Sequence, residues 1–227
     1  ELSWQVRIGI LVHDVMAAFW QKFRHSDKLY GLDYHNELLA IWRSSSMVRG
    51  LNSTTELCLR NFLLSLLSQW LRLENERDAF NVVCSEKTFD FKYQDINFQF
   101  RIDRLDEVDG KYYLIDYKTH TYETSGWYKD DLSSTQIPLY AMAVNTDYPL
   151  SGTLIAQIKH NETGYFGAAD ELSWAKVNKR YSFAELLPSW VSQIEEFLGK
   201  IQSGVFQPKN NSLCSSCKFN LVCRQIS

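Results

Sequence analysis

From Phe98 to Thr119 the chain reads Phe-Gln-Phe-Arg-Ile-Asp-Arg-Leu-Asp-Glu-Val-Asp-Gly-Lys-Tyr-Tyr-Leu-Ile-Asp-Tyr-Lys-Thr, two strand-like runs joined by Asp109-Gly110. An Asp-Gly pair between period-two runs predicts a tight hairpin. That hairpin commits the middle of the chain to a sheet and sets Asp103, Asp116 and Lys118 on adjacent strands. Asp and Lys are poor strand formers. A strand that otherwise reads Tyr112-Tyr113-Leu114-Ile115 has no packing reason to end in Asp116-Tyr117-Lys118. These polar residues are expected to do chemistry.

Around the hairpin the hydrophobic period predicts an α/β order. Apolar residues recur at helical spacing from Ile10 to Phe23, a helix that carries His13, and Leu38 to Trp42 reads as a second helix. Thr54 and Thr55 are plausible caps for a long apolar helix over Leu57 to Leu73, with Arg60, Gln69, Arg72 and Glu74 to Arg77 as its wet positions. Strands are expected at Phe80–Cys84, Phe89–Tyr93, Asn97–Leu105 and Tyr112–Tyr117. A loop follows from His120 to Asp131. Gln136–Val144 reads as a helix, with Pro138 tolerable in its first turn. Ser151–Lys159 alternates like a strand, and a Ser-x-x-Glu cap at Ser182 and Glu185 opens a last helix to Ile201.

Composition narrows the class. At 227 residues and 45% hydrophobic, the chain can bury one good core. A formal charge of -3 denies it a uniformly basic surface, so any contact with nucleic acid needs a local patch of Lys and Arg. No apolar run approaches the roughly 20 residues of a membrane span, and no signal-like start is seen, so a cytoplasmic protein is expected. Trp4, Val6, Ile8 and Ile10 arrive before any cap or turn, as in a piece cut from a larger protein. Five cysteines, three of them at Cys214, Cys217 and Cys223, argue for thiol or metal chemistry rather than a secreted disulfide framework. Cys58 and Cys84, in an apolar helix and a strand, are expected to be buried structural thiols.

Two carboxylates suit a hard divalent cation such as Mg²⁺ or Mn²⁺. Lys118, two residues after Asp116, points to the same face of its strand and is placed to steady charge on an attacked group. The competing reading is a solvated Asp116–Lys118 salt bridge. His13, with Gly9 one turn before it, can add a nitrogen ligand, or be an ordinary core or surface histidine. Gln136 and Tyr140 share one helix face, where an amide and a phenol can reach a phosphodiester. Glu86, at the end of an earlier strand, is either a neighbour of the site or a solvated side chain.

In this order, Gly9-Ile-Leu-Val-His13, Arg101-Ile-Asp103, Ile115-Asp116-Tyr117-Lys118 and Gln136-Ile-Pro-Leu-Tyr140 resemble the motifs of the PD-(D/E)xK nuclease superfamily, in its RecB-like branch. The resemblance implies an α/β fold with a central mixed, largely antiparallel sheet flanked by helices, the restriction-endonuclease-like core. It implies metal ligands at His13, Asp103, Asp116 and the carbonyl of Tyr117, and a catalytic lysine at Lys118. Asp103, Asp116, Lys118, Gln136 and Tyr140 form the implied catalytic set, and Gln136 and Tyr140 also position DNA. Arg101, Arg104 and Lys129 are candidate backbone contacts.

The Cys-x2-Cys-x5-Cys tail after Phe206-Gln207-Pro208 resembles one arm of the iron–sulfur staple of AddB-type helicase–nuclease subunits. A [4Fe-4S] cluster takes four thiolates, so it needs a fourth cysteine outside this chain, and zinc is the competing metal. The organisation expected is a nuclease domain over 1–205 and a cysteine tail over 206–227. The expected activity is metal-dependent DNA hydrolysis, as an exonuclease, in a DNA repair or recombination protein partnered with a helicase-like region. The rival readings are a non-catalytic DNA-binding scaffold that keeps the fold and a stand-alone endonuclease.

Overall fold

The Asp-Gly turn forms where the pattern requires it. β2 (Ile96–Val108) and β3 (Lys111–Lys118) pair antiparallel, and Asp109 and Gly110 between them take φ of 50° and 73°. Two consecutive positive φ values make a turn whose twist matches the flanking strands. The computed structural model describes residues 3–44, 52–129, 132, 134–170 and 172–204. The expected tail over 206–227 lies outside these residues.

β1 (Asn81–Tyr93), β4 (Leu150–Gln157), β5 (Gly164–Ala169) and β6 (Lys176–Val177) complete a six-stranded sheet in the order β1-β2-β3-β4-β5-β6. Neighbours run antiparallel except β3/β4 and β5/β6, which run parallel. The sheet is therefore mixed and largely antiparallel, as expected. The β3/β4 pair is joined by a long crossover of the usual kind, and that connection contains α4 (Gln136–Val144).

Alternation along β3 and β4 divides the core into two layers. Tyr113, Ile115, Tyr117, Leu154 and Ala156 face α1 (Trp4–Lys22), α2 (Tyr34–Ser44) and α3 (Ser53–Asn75), where they meet Phe19, Trp20, Leu67 and Trp70. Leu114 and Ile155 face the other way, toward Ile137 and Ala141 of α4 and Trp190 of α5 (Phe183–Gln202). Among the described residues no helix is long and apolar enough to cross a membrane.

Several boundaries differ from expectation for identifiable reasons. Ser3 caps α1, its hydroxyl accepting from the Val6 N–H at 3.4 Å. The helix therefore starts well before Ile10, while Trp4, Val6 and Ile10 stay exposed and blur the early period. Asn52 rather than Thr54 or Thr55 caps α3, accepting from the Thr55 N–H at 2.8 Å. β1 is one strand, not two, with its register shift against β2 between Val82 and Cys84. β5 went unseen because Gly-Tyr-Phe-Gly-Ala-Ala is short and small. Small residues are what the place needs: a Cβ on Gly167 would stand 2.3 Å from the Thr153 carbonyl oxygen, and one on Gly152 would stand 2.5 Å from Ala169 Cβ.

The largest correction concerns charge. Glu74 and Arg77, expected to be wet, are buried, together with Arg104 and Asp106. Arg104 reaches Glu74 at 2.7 Å and Asp106 at 2.6 Å, while Arg77 reaches Glu74 at 2.6 Å and Asp106 at 2.9 Å. Tyr165 donates to Glu74 at 2.6 Å. The guanidiniums lie 3.9 Å over the Trp20 and Trp174 rings. Two acids and two bases cancel, which offsets the cost of burying charge. A run such as Glu-Asn-Glu-Arg at a helix end reads as solvated because its partners come from distant strands.

Candidate metal centre

Five polar groups converge beside the end of β3 from four elements. α1 supplies His13, β1 Glu86, β2 Asp103, and β3 Asp116 and Lys118. At Gly9, a Cβ would stand 3.4 Å from Thr119 Oγ1 just beyond β3. This turn of α1 therefore lies within van der Waals reach of the strand end, and the next helical turn carries His13 over the site. His13 also meets the Tyr117 ring edge-to-face, with centroids 5.8 Å apart.

His13 Nδ1 stands 3.2 Å from Asp103 Oδ1 and 3.8 Å from Glu86 Oε1. One donor atom from each of His13, Glu86 and Asp103 lies within 4.8 Å of the others. The second Asp103 oxygen accepts the Tyr117 backbone N–H at 2.7 Å. Lys118 Nζ stands 2.6 Å from Asp116 Oδ2, as expected for residues two apart on one strand face.

The electrostatics are those of a place short of cations. Burial pushes the Asp116 carboxyl up, and the neighbouring Asp103 charge pushes it further, to about 6 despite Lys118. Burial alone would lower the His13 imidazolium, but its bonds to Asp103 and Glu86 outweigh that and hold it up to about 10. Lys118 loses hydration yet is raised by Asp116, and so stays charged. Imidazole nitrogen with carboxylate oxygen is a donor set that suits divalent cations, and the acid crowding that raises Asp116 is what such an ion would relieve. Those bonds favour the protonated imidazole, so a cation that took His13 as a ligand would have to displace its proton.

The remaining expected site residues fall in different places. Gln136 donates to the Tyr140 hydroxyl at 3.2 Å, and the Tyr140 ring stacks on Phe100, three residues before Asp103 on β2, at 4.7 Å. Arg101 is exposed and pairs with Glu86 at 2.7 Å. Lys129 is exposed beyond a short helical turn at Ser125–Tyr128. Arg104 is a correction: it is fully buried in the ion cluster and turned away from solvent, where no DNA phosphate can meet it. Cys214, Cys217 and Cys223 lie outside the described residues. Cys58 is exposed and Cys84 only half-buried, so the expectation of two buried thiols fails for both.

Glu86 carries more weight in the structure than in the sequence. Its mark in the sequence is a charged pair, Glu86-Lys87, just past the strand-like run Phe80–Cys84, and a charged pair there does not distinguish a residue turned inward from a solvated one.

A family model described as the PD-(D/E)XK nuclease superfamily matches residues 1–224. No curated protein matches the chain. Among solved structures, the chain is similar to one described as the crystal structure of SSO0001, with 13% identity and a TM-score of 0.32 over 96% of this chain and 84% of that one.

Proposed function

The chain belongs to the PD-(D/E)XK nuclease superfamily, and from that premise we propose that it is a Mg²⁺- or Mn²⁺-dependent deoxyribonuclease of the RecB-like type. The observation that carries the reading is the approach of His13 on α1 to Asp103 on β2 at 3.2 Å, two residues far apart in the chain. His13, Asp103, Asp116 and the Tyr117 carbonyl are the groups that would hold the cation. When bound, it would act as a Lewis acid on the scissile phosphate and make water a better nucleophile.

The chain's own groups do the rest. The Tyr117 N–H fixes one Asp103 oxygen and so turns the other toward His13. Lys118, charged and beside Asp116, offsets negative charge growing on the attacked phosphate. Gln136 and Tyr140 orient the DNA strand or the attacking water, and Arg101 and Lys129 hold backbone phosphates. Unneutralised carboxylates repel DNA, so binding and chemistry both require the cation. The motif order of the RecB-like branch supports exonuclease action within a DNA repair or recombination protein that works beside a helicase-like region.

The test is hydrolysis of end-labelled single- and double-stranded DNA with Mn²⁺ or Mg²⁺, beside a Lys118→Ala control. The expected result is metal-dependent release of short products, abolished by EDTA and reduced about 100-fold or more in the variant. Equal cleavage by both proteins discards the assignment of Lys118, and DNA binding without cleavage discards the enzyme.

A further inference from the structure

Glu86 stands at an unusual point of the backbone. Among the described residues, four that bear side chains have positive φ: Glu86, Gln94, Asp109 and Asn161. The last three lie in turns, whereas Glu86, at φ 49°, lies inside β1. L residues avoid this region unless surrounding structure holds them there. Ser85 pairs with Arg104 and Lys87 with Ile102, so the unpaired Glu86 falls opposite Asp103.

The rotation gives its two oxygens different surroundings. Oε1 faces His13 Nδ1 at 3.8 Å, inside the group of donors formed with Asp103. Oε2 holds Arg101 Nε at 2.7 Å. The Glu86 side chain is 15% exposed and that of Arg101 63%, so the pair reaches from the site to solvent. A surface ion pair contributes too little to hold a residue against its backbone preference. The inward oxygen supplies the missing reason.

We propose that Glu86 is a further ligand of the divalent cation and that Arg101 competes with the cation for it. The inference rests on the metal-dependent reading above. A carboxylate bonded to a guanidinium is a weaker donor, and the guanidinium's own charge opposes a cation nearby. Filling the site therefore loosens Arg101, which is exposed and suited to a DNA phosphate. Linkage is reciprocal: a phosphate that draws Arg101 away frees Glu86 and tightens cation binding. Glu86 and Arg101 thus couple metal occupancy to substrate contact.

Mn²⁺ titration of the metal-free protein, followed by the electron paramagnetic resonance of free Mn²⁺, tests this without any catalytic readout. Glu86→Gln is expected to bind Mn²⁺ about 10-fold more weakly, and Arg101→Ala more tightly than wild type. In the Glu86→Gln background, Arg101→Ala is expected to change nothing. Wild-type affinity in Glu86→Gln overturns the proposal, as does equal tightening by Arg101→Ala in both backgrounds, the mark of simple charge removal. Should Glu86→Gln fail to fold, unchanged or weaker binding by Arg101→Ala is sufficient to overturn it. Absence of Mn²⁺ binding by wild type strikes the metal-dependent reading itself.

Discussion

The backbone N–H of Tyr117 donates to Asp103 Oδ2 at 2.7 Å, tying the acid on β2 to the strand that carries Asp116 and Lys118. The same residue is anchored at its other end. Its buried hydroxyl accepts from Trp20 Nε1 at 2.8 Å and from Arg104 Nη1 at 3.2 Å. One tyrosine thus links the buried ion cluster to the site.

Tyr117→Phe isolates that anchor, because it keeps the ring and the backbone N–H but leaves the Trp20 donor buried without its acceptor. An orphaned buried donor costs about 1–3 kcal/mol. Urea unfolding is expected to show that loss, while Mn²⁺ affinity changes less than for Asp103→Asn. A variant as stable as wild type means that the hydroxyl anchors nothing.

The raised Asp116 carboxyl makes a statement about stability. The folded protein holds this proton to about pH 6, the unfolded chain only to about 3.8. The group therefore favours folding fully below the lower value, and the advantage is lost as pH rises through the higher one. Asp116→Asn cannot ionise. Measured by urea unfolding in EDTA, its stability relative to wild type is expected to grow from pH 4 to pH 8 by up to roughly 3 kcal/mol. A difference that does not move with pH removes the claim that Asp103 and burial crowd this carboxyl.

Much of this arrangement was legible in the chain, and what failed did so for a common reason. The Asp109-Gly110 turn, the Lys118–Asp116 adjacency, α4 from Gln136 to Val144 and the Ser182 cap depend on neighbours in sequence, so local rules found them. The approach of His13 to Asp103 needed the order of motifs, because no local rule brings a helix to a strand. Arg104, Glu74 and Arg77 were misread because the sequence displays charge without displaying partners. Glu86 was underweighted because a positive φ inside a strand leaves no mark in composition. β5 was missed because its residues are chosen for close approach to β4 rather than for strand propensity.

Glu74 tests whether the buried cluster holds the layers together. It accepts from both guanidiniums and from Tyr165. Burial pushes its carboxyl up, but the charges of Arg104 and Arg77 win and hold it below its ordinary value. Glu74→Gln leaves two buried cations with one counter-charge, and removing one partner of such a pair costs about 3–5 kcal/mol. Because the folded carboxyl is the stronger acid, its contribution is complete above its ordinary value of 4.5 and fades as pH falls through the depressed one. The stability gap between wild type and variant is therefore expected to hold steady from pH 8 to pH 5 and to narrow only in stronger acid. A gap below 1 kcal/mol at pH 7 in urea unfolding refutes the structural role.

Gly167 offers a test of the fold that does not touch the site. A Cβ there would meet the Thr153 carbonyl oxygen at 2.3 Å and Leu154 Cα at 3.0 Å. Both are backbone atoms of a strand paired on both sides, so neither can turn aside as a flexible side chain would. β4 also pairs with β3 through Leu154 and Ile155, and any retreat from β5 must break one register or the other. Overpacking of this kind costs about 1–3 kcal/mol, and more where the backbone must move. Gly167→Ala is expected at the upper end of that range by urea unfolding. Gly164→Ala, with open space at the start of the same strand, is expected to stay near wild type. Equal loss in the two variants would mean that the β4–β5 contact is looser than these distances require.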